Sequence, residues 1–186
     1  MGSQGYEIAR QVAARLNFRF VWREVINQAA IQVGAPEVAL AVIDDLGLLH
    51  IYPSDEIFQS YIKAVHQVIQ DLASQGGVVL LGRAGQIELH DHPQALHVRV
   101  IAPFEARVQR IAVEDRVPLE AARARVTASD KSRQQYLKKF YQARLEDPQL
   151  YDLVINTARL DAETAVKIIC DTCLGDKEAS NAAAHR

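Results

Sequence analysis

The chain has 186 residues, 49% of them hydrophobic and 24% charged, which is enough apolar material for the core of one ordinary domain. Its formal net charge of −2 excludes the broad basic surface that duplex nucleic acid or an anionic membrane would need. No apolar run approaches the roughly 20 residues that span a bilayer, and no signal peptide is recognisable. We therefore expect a cytoplasmic protein with neither nucleic acid nor membrane among its partners.

A short glycine-bearing loop stands at the start of the chain and leads into a helical pattern over residues 7–16. The loop consists of Gly2, Ser3, Gln4 and Gly5. Unpaired backbone N–H groups and the helix dipole point at the same spot in such a loop, so it is a candidate anion site. A flexible terminus or a cloning scar would give the same residues, and the loop alone does not decide between them.

The rest of the chain alternates between strand and helix patterns. Strands are predicted at residues 18–22, 78–81, 96–102 and 151–155. Helices are predicted at residues 23–33, 35–45, 54–75, 104–113, 119–145 and 162–173. The uninterrupted apolar run at residues 78–81 is typical of a strand that is buried on both faces of a parallel sheet. The predicted fold class is therefore α/β, a three-layer parallel sheet flanked by helices.

Three arginines are predicted to lie at one edge of this sheet. Arg83 comes directly after the strand at residues 78–81, and Arg107 and Arg110 lie one turn apart on the helix that follows the next strand. The carboxyl ends of strands in open α/β sheets are where ligands bind. Fixed cations at that edge suit phosphate, although each arginine could instead form a surface ion pair.

We expect a single domain over residues 1–174. Within it, residues 114–146 form a highly charged helical region that includes Asp130 and Arg133, and this region is either a solvated flap or a lid over a phosphate site. Residues 175–186 lack large apolar side chains and are predicted to be a frayed, disordered tail.

Two motifs resemble fragments of metal sites. Cys170 and Cys173 have no second pair at matching spacing, so we interpret them as two half-buried thiols. His90 and His92 lie in the connection between two strands without a third ligand, which favours a loop. No metal-ligating residue is assigned.

The segments, in order, resemble the cytidylate kinase-like branch of the nucleoside monophosphate kinases, within the P-loop superfamily. The resemblance covers nearly the whole chain and rests on the segments GSQGYEIARQVAARL, FVWREVI, VVLLGRAGQIEL, VRVIAPFEARVQRI, ASDKSRQQY and YDLVINT. It implies a P-loop kinase-like fold with a helical lid, and transfer of the γ-phosphoryl group of ATP, with Mg²⁺, to CMP or dCMP.

The resemblance also implies roles for individual residues. Gly2, Ser3, Gln4 and Gly5 fall on the phosphate loop. Arg83 falls on the Gly-Arg motif that holds the acceptor nucleotide, and Arg107 and Arg110 fall on the helix that borders the lid. Asp130 and Arg133 fall on the lid motif that contacts acceptor and phosphates. Arg83, Arg110 and Arg133 are the expected catalytic residues.

Three positions depart from the family pattern. Residues 5–7 read Gly-Tyr-Glu where a full P-loop ends in Gly-Lys-Ser/Thr, although this branch tends to have glycine in place of the lysine. Ala84 replaces an aspartate, and Trp22 replaces another, where it could stack on a base or simply pack. The absent lysine, the absent Ser/Thr and Ala84 favour a nucleotide-binding or sensing module that has lost efficient transfer. The retained Arg83, Arg110, Asp130 and Arg133 favour a kinase. A kinase for another small phosphorylated or hydroxyl substrate is a third possibility.

The strand before the phosphate loop lies in the middle of the sheet in this superfamily, and Met1 leaves no residues for it. We therefore expect the first central strand to be missing. Because the backbone groups of its two neighbours would be costly to leave unpaired, either the native chain begins upstream or another segment fills the gap.

Overall fold

The computed structural model describes residues 1–22, 24–32, 34 and 55–184. The first elements are helix α1 (Gly5–Leu16), strand β1 (Arg19–Val21), helix α2 (Glu24–Gln32), helix α3 (Asp55–Gln75), strand β2 (Val78–Leu80) and the short helix α4 (Gly85–Glu88). They are followed by strand β3 (Val98–Ile101), helix α5 (Phe104–Glu114), helix α6 (Leu119–Tyr141), a 3-10 turn (Pro148–Leu150), strand β4 (Leu153–Asn156) and helix α7 (Ala162–Ala184). The helix predicted at residues 35–45 lies outside the described residues.

The predicted fold class is confirmed, with strands somewhat shorter than expected. All four strands lie within or at the edge of the predicted runs, because apolar and β-branched residues extend beyond the hydrogen-bonded ladder. Helix α7 differs most. It continues to Ala184, over residues for which the sequence predicted a frayed tail. The apolar pattern stops near Cys173, but the alanines and charged residues beyond it are adequate helix formers.

The strands form two separate parallel pairs. Strand β1 pairs with β2, with Val21 opposite Leu80, and β3 pairs with β4, with Ile101 opposite Asn156. Neither β2 nor β3 pairs with a second strand among the described residues. Each therefore keeps one unpaired edge, as the expectation of a missing central strand requires.

A cavity of about 2350 Å³ lies between the two pairs. Its walls include residues 78–82 around β2 and residues 95–102 around β3, so it borders both unpaired strands. The first residues of the chain, from Met1, line it as well.

Three apolar clusters hold the elements in place. One joins α2 and α3 to β1 around the fully buried Val25 and Tyr61, and a second joins α1 and α7 to β4 around Ile8 and Ile155. The third lies between α5 and α6, around Val108. Helices thus cover both strand pairs, and the charged α6 packs against α5 along a narrow apolar face.

Among the described residues, no helix has both the length and the apolar character that crossing a bilayer demands.

Candidate functional site

In the loop before α1, the carbonyl groups accept hydrogen bonds, whereas the amide groups have no partner among the described residues. The oxygens of Met1, Gly2 and Ser3 accept hydrogen bonds from Arg107 Nη1 (3.4 Å), Arg110 Nη1 (3.2 Å) and Thr157 Oγ1 (3.1 Å), in that order. By contrast, the N–H groups of residues 2–7 donate to no group in the described part of the chain. A row of unpaired N–H groups at the start of a helix is a ready site for an anion.

Gly2 is tightly enclosed in this loop. Its φ is 75°, in the left-handed region, and a Cβ atom at this position would lie 2.7 Å from the carbonyl oxygen of Arg107. The loop therefore lies directly on α5, at a distance that only glycine permits. Gln4, which precedes the helix, also has a left-handed φ of 64°. Two residues of this loop therefore lie outside the backbone regions that most residues adopt.

Asp130 on α6 joins two of the predicted arginines. Its two oxygens accept from Arg107 Nη1 (2.9 Å) and Nη2 (2.7 Å), and Oδ1 also accepts from Arg133 Nη2 (2.6 Å). Burial raises the pKa of this carboxyl, but Arg107 and Arg133 together outweigh the burial and hold the pKa below its usual value. Two guanidinium groups share one carboxylate, so the cluster keeps an excess positive charge.

Arg110 lies behind the loop. Its guanidinium donates to the hydroxyl of Thr157 (2.9 Å), to the carbonyl of Thr157 (2.7 Å) and to Gly2. Unlike the other predicted site residues, it is absent from the cavity wall. The predicted catalytic role of Arg110 therefore stays a prediction, and its contacts are those of a residue that fixes the loop.

Arg83 has a different environment. It follows β2 in a turn where Gly82, Arg83 and Ala84 have φ values of 81°, 56° and 56°. Two consecutive non-glycine residues in the left-handed region are unusual, and such strain clusters at functional sites. The half-buried side chain forms neither a hydrogen bond nor an ion pair with any residue in the described ranges. Its positive charge acts on the hydroxyls of Tyr61 and Tyr136. Burial raises the pKa values of both tyrosines, and the charge of Arg83 lowers them in part.

The cavity brings these groups together. Its wall contains the loop residues Gly2, Ser3, Gln4 and Gly5, together with Arg83, Arg107, Asp130 and Arg133. One space at the carboxyl end of the strands is thus surrounded by the loop N–H groups and the Arg83 guanidinium, which have no partner among the described residues, and by two guanidiniums that share a carboxylate. The arrangement can hold several phosphate oxygens at once.

Some residues of the site were not predicted from the sequence. Tyr136 lines the cavity, and its buried hydroxyl interacts with Tyr141, whose ring centroid lies 5.9 Å from its own. Tyr141 donates to Glu88 Oε1 (2.6 Å) and so joins the end of α6 to α4, next to Arg83. Sequence spacing does not reveal such contacts, since the two partners lie 53 positions apart.

Glu7 occupies the position where a full P-loop has a hydroxyl. Its carboxylate accepts from Arg10 Nη2 (2.9 Å) and Gln11 Nε2 (2.7 Å), and chiefly the Arg10 contact lowers the pKa of this carboxyl. Within the described ranges, no group of three or more histidines, cysteines and acidic residues could hold a metal ion. The carboxylates of Glu7 and Asp130 already bind arginines.

Parallel strands flanked by helices, with a glycine loop at a helix start, place the chain in the class of P-loop kinase-like α/β proteins. The chain belongs to the cytidylate kinase-like family, whose sequence model matches residues 1–159.

Relatives and a solved structure agree with this assignment. A cytidylate kinase of Methanothermobacter thermautotrophicus is 35% identical over 81 residues, which are 44% of this chain and 50% of that protein. The cytidylate kinase of Ignicoccus hospitalis is 25% identical over 169 residues, covering 90% of this chain and 91% of that protein. In several of the curated relatives it matches, the chain spans only about half of their length.

The solved structure is that of an uncharacterized protein from Eubacterium ventriosum. It matches with a TM-score of 0.71 over 92% of both chains at 18% identity, which supports the fold.

Proposed function

We propose that this protein transfers the γ-phosphoryl group of ATP to a nucleoside monophosphate, with CMP or dCMP as the acceptor. The observation that carries the proposal is that Arg83, which has no hydrogen-bond or ion-pair partner among the described residues, lines the same cavity as the amide-rich loop and the Arg107–Asp130–Arg133 cluster. Phosphoryl transfer is mostly a matter of positioning and charge stabilisation, and this set of groups can supply both.

Each group has a role in the proposal. The N–H groups of residues 2–7 hold the donor phosphates, and Arg83 holds the phosphate of the acceptor. Arg133 and Arg107 stabilise the charge of the transferring group, since Asp130 neutralises only one of the two. Arg110 keeps the loop in place through Gly2 and Thr157.

Magnesium belongs to the substrate in this proposal. Mg²⁺ enters bound to the phosphates of ATP, which supply oxygen ligands to the ion. We also propose that the protein acts in the cytoplasm, where ATP and nucleoside monophosphates are available.

A second candidate function is nucleotide binding without efficient transfer. The loop carries Tyr6 where a full P-loop has lysine, and the carboxylate of Glu7 adds negative charge beside the donor phosphates. Both features weaken stabilisation of a transferring phosphoryl group more than they weaken binding. A different phosphorylated or hydroxyl acceptor on the same site is the remaining alternative.

The test is phosphoryl transfer from ATP and magnesium to a panel of nucleoside monophosphates, followed by separation of the products. We expect transfer to CMP or dCMP, and we expect Arg83→Ala to lower the rate on the order of 100-fold or more. Arg125→Ala is the matched control, because Arg125 pairs with Asp115 (2.6 Å) away from the cavity. Saturable CMP binding without product would favour the second function, and turnover on a non-nucleotide acceptor would favour the third.

A further inference from the structure

Three aromatic rings form a cluster beside the glycine loop. Tyr6, in the first turn of α1, contacts Trp22 and Phe20 edge to face, with ring centroids 4.9 Å and 5.4 Å apart. Trp22 follows directly after β1, at the carboxyl end of that strand. The cluster thus lies at the same edge of the sheet as the phosphate-binding groups.

Tyr6 is 46% exposed, and both Tyr6 and Trp22 line the cavity whereas Phe20 does not. Strand register sets the position of the pair relative to Arg83. Val21 lies opposite Leu80 in the parallel ladder, so Trp22 and Arg83 leave neighbouring strands in the same direction. Tyr6 and Trp22 therefore line the same cavity as the amide-rich loop and Arg83.

We propose that Tyr6 and Trp22 form a platform on which the nucleobase of the acceptor nucleotide stacks. This inference rests on the proposed function and deepens it. Every nucleobase has a π-face that stacks on aromatic side chains, and stacking tolerates differences between bases. Arg83 on the adjacent strand holds the phosphate at one end of the ligand, and the platform holds the base at the other. Tyr6 thus contacts the base from the position that the lysine occupies in a full P-loop.

The protein reports on this contact directly, because Trp22 is the only tryptophan in the chain. Tryptophan fluorescence is titrated with CMP, with ATP and with ribose 5-phosphate, which has the phosphate but no base. We expect CMP to change the emission saturably and ribose 5-phosphate to bind more weakly without that change. A change with ATP alone would overturn the assignment to the acceptor and place adenine on the platform.

Variants of the exposed ring separate stacking from folding. Tyr6→Ala is expected to weaken CMP binding roughly tenfold by calorimetry, whereas Tyr6→Phe should retain the wild-type affinity. Val113→Ala, which truncates an exposed side chain (79%) away from the cavity, is the control. Unchanged CMP affinity in Tyr6→Ala would overturn the platform while leaving the kinase proposal intact. Base-dependent binding that Tyr6→Ala weakens, in a protein without transferase activity, would support the platform and overturn only the kinase.

Discussion

Gly2 and Gly5 lie three residues apart in the loop before α1, but their surroundings differ. A Cβ atom at Gly2 would meet the backbone of Arg107 at 2.7 Å, whereas one at Gly5 would make only ordinary contacts, with Ser3 Oγ at 3.6 Å and Val100 Cβ at 3.7 Å. Gly2→Ala is therefore expected to destabilise the protein by about 1 to 3 kcal/mol, because the loop must move away from α5. Thermal denaturation provides the measurement, with Gly5→Ala as control. Similar melting temperatures for the two variants would show that the loop does not lie close enough to α5 to exclude a Cβ atom at Gly2.

The left-handed φ of Arg83 predicts that substitution by glycine maintains or raises stability while it lowers activity. Glycine adopts the observed φ of 56° without the steric cost that arginine bears. Arg83→Gly should thus melt at the same temperature as the wild type or slightly above it, while transfer falls as it does in Arg83→Ala. A lower melting temperature in Arg83→Gly would mean that the guanidinium stabilises the fold.

Asp130 gives a pH dependence with a definite sign. Its pKa in the folded protein lies below the ordinary value of 3.8, so the contacts to Arg107 and Arg133 stabilise the protein above about pH 4 and are lost as the pH falls through the folded pKa. Asp130→Asn is expected to lower the free energy of unfolding by about 1 kcal/mol at neutral pH. The variant's free energy of unfolding should also fall less steeply than that of the wild type as the pH is lowered. Urea unfolding of the wild type and of Asp130→Asn at several pH values provides the test. If the unfolding free energy falls equally steeply in acid for both proteins, the prediction is contradicted.

The sequence predicted which residues face the site better than it predicted their contacts. Arg83 was found because an arginine after a buried apolar strand must emerge at the carboxyl end. The role of Arg110 depends on Thr157, which lies 47 positions away, and helical spacing carries no information about such a partner. The site residues assigned through the family resemblance stay predictions until activity is measured.

At the scale of elements, Thr157 connects β4 to the loop before α1. Its buried hydroxyl contacts Ser3 O at 3.1 Å, Ile101 O at 3.3 Å and Arg110 Nη1 at 2.9 Å. Thr157→Val keeps the shape but removes these bonds, so it should cost about 1 to 3 kcal/mol and lower activity through the loop. The matched control is Thr127→Val on an exposed position of α6. Equal melting temperatures for the two variants would contradict the role given to the hydroxyl.

Elements with a strong local pattern could be predicted, and those that depend on tertiary context could not. The apolar spacing along α1 and α3 specified two helices whose inward faces are buried. By comparison, α7 continues beyond its apolar pattern, and nothing in that pattern marks its end. Strand order also escaped local reasoning, because periodicity does not tell which strands pair.

At the scale of the whole molecule, the divided sheet predicts an alternating pattern of amide exchange. Leu81 N donates to Val21 O across the first pair, and Thr157 N donates to Ile101 O across the second. Hydrogen bonds in a parallel ladder alternate along each strand, so the amides of residues 78, 80, 98 and 100 face the cavity. Hydrogen exchange followed by NMR should show these amides exchanging faster than those of residues 79, 81, 99 and 101. Equal protection within each strand would mean that a further segment pairs with the inner edges.

The cavity between the strand pairs also has a thermodynamic consequence. Its walls, which include residues 78–82 and 95–102, are accessible to water, whereas a continuous sheet would cover these strands with neighbours. A native state that already shows this surface to water has less left to expose when it unfolds. Both the dependence of the unfolding free energy on urea and the heat capacity of unfolding scale with newly exposed area. The protein should therefore unfold over a broader range of urea concentration, and with a smaller heat-capacity step, than a typical domain of its length.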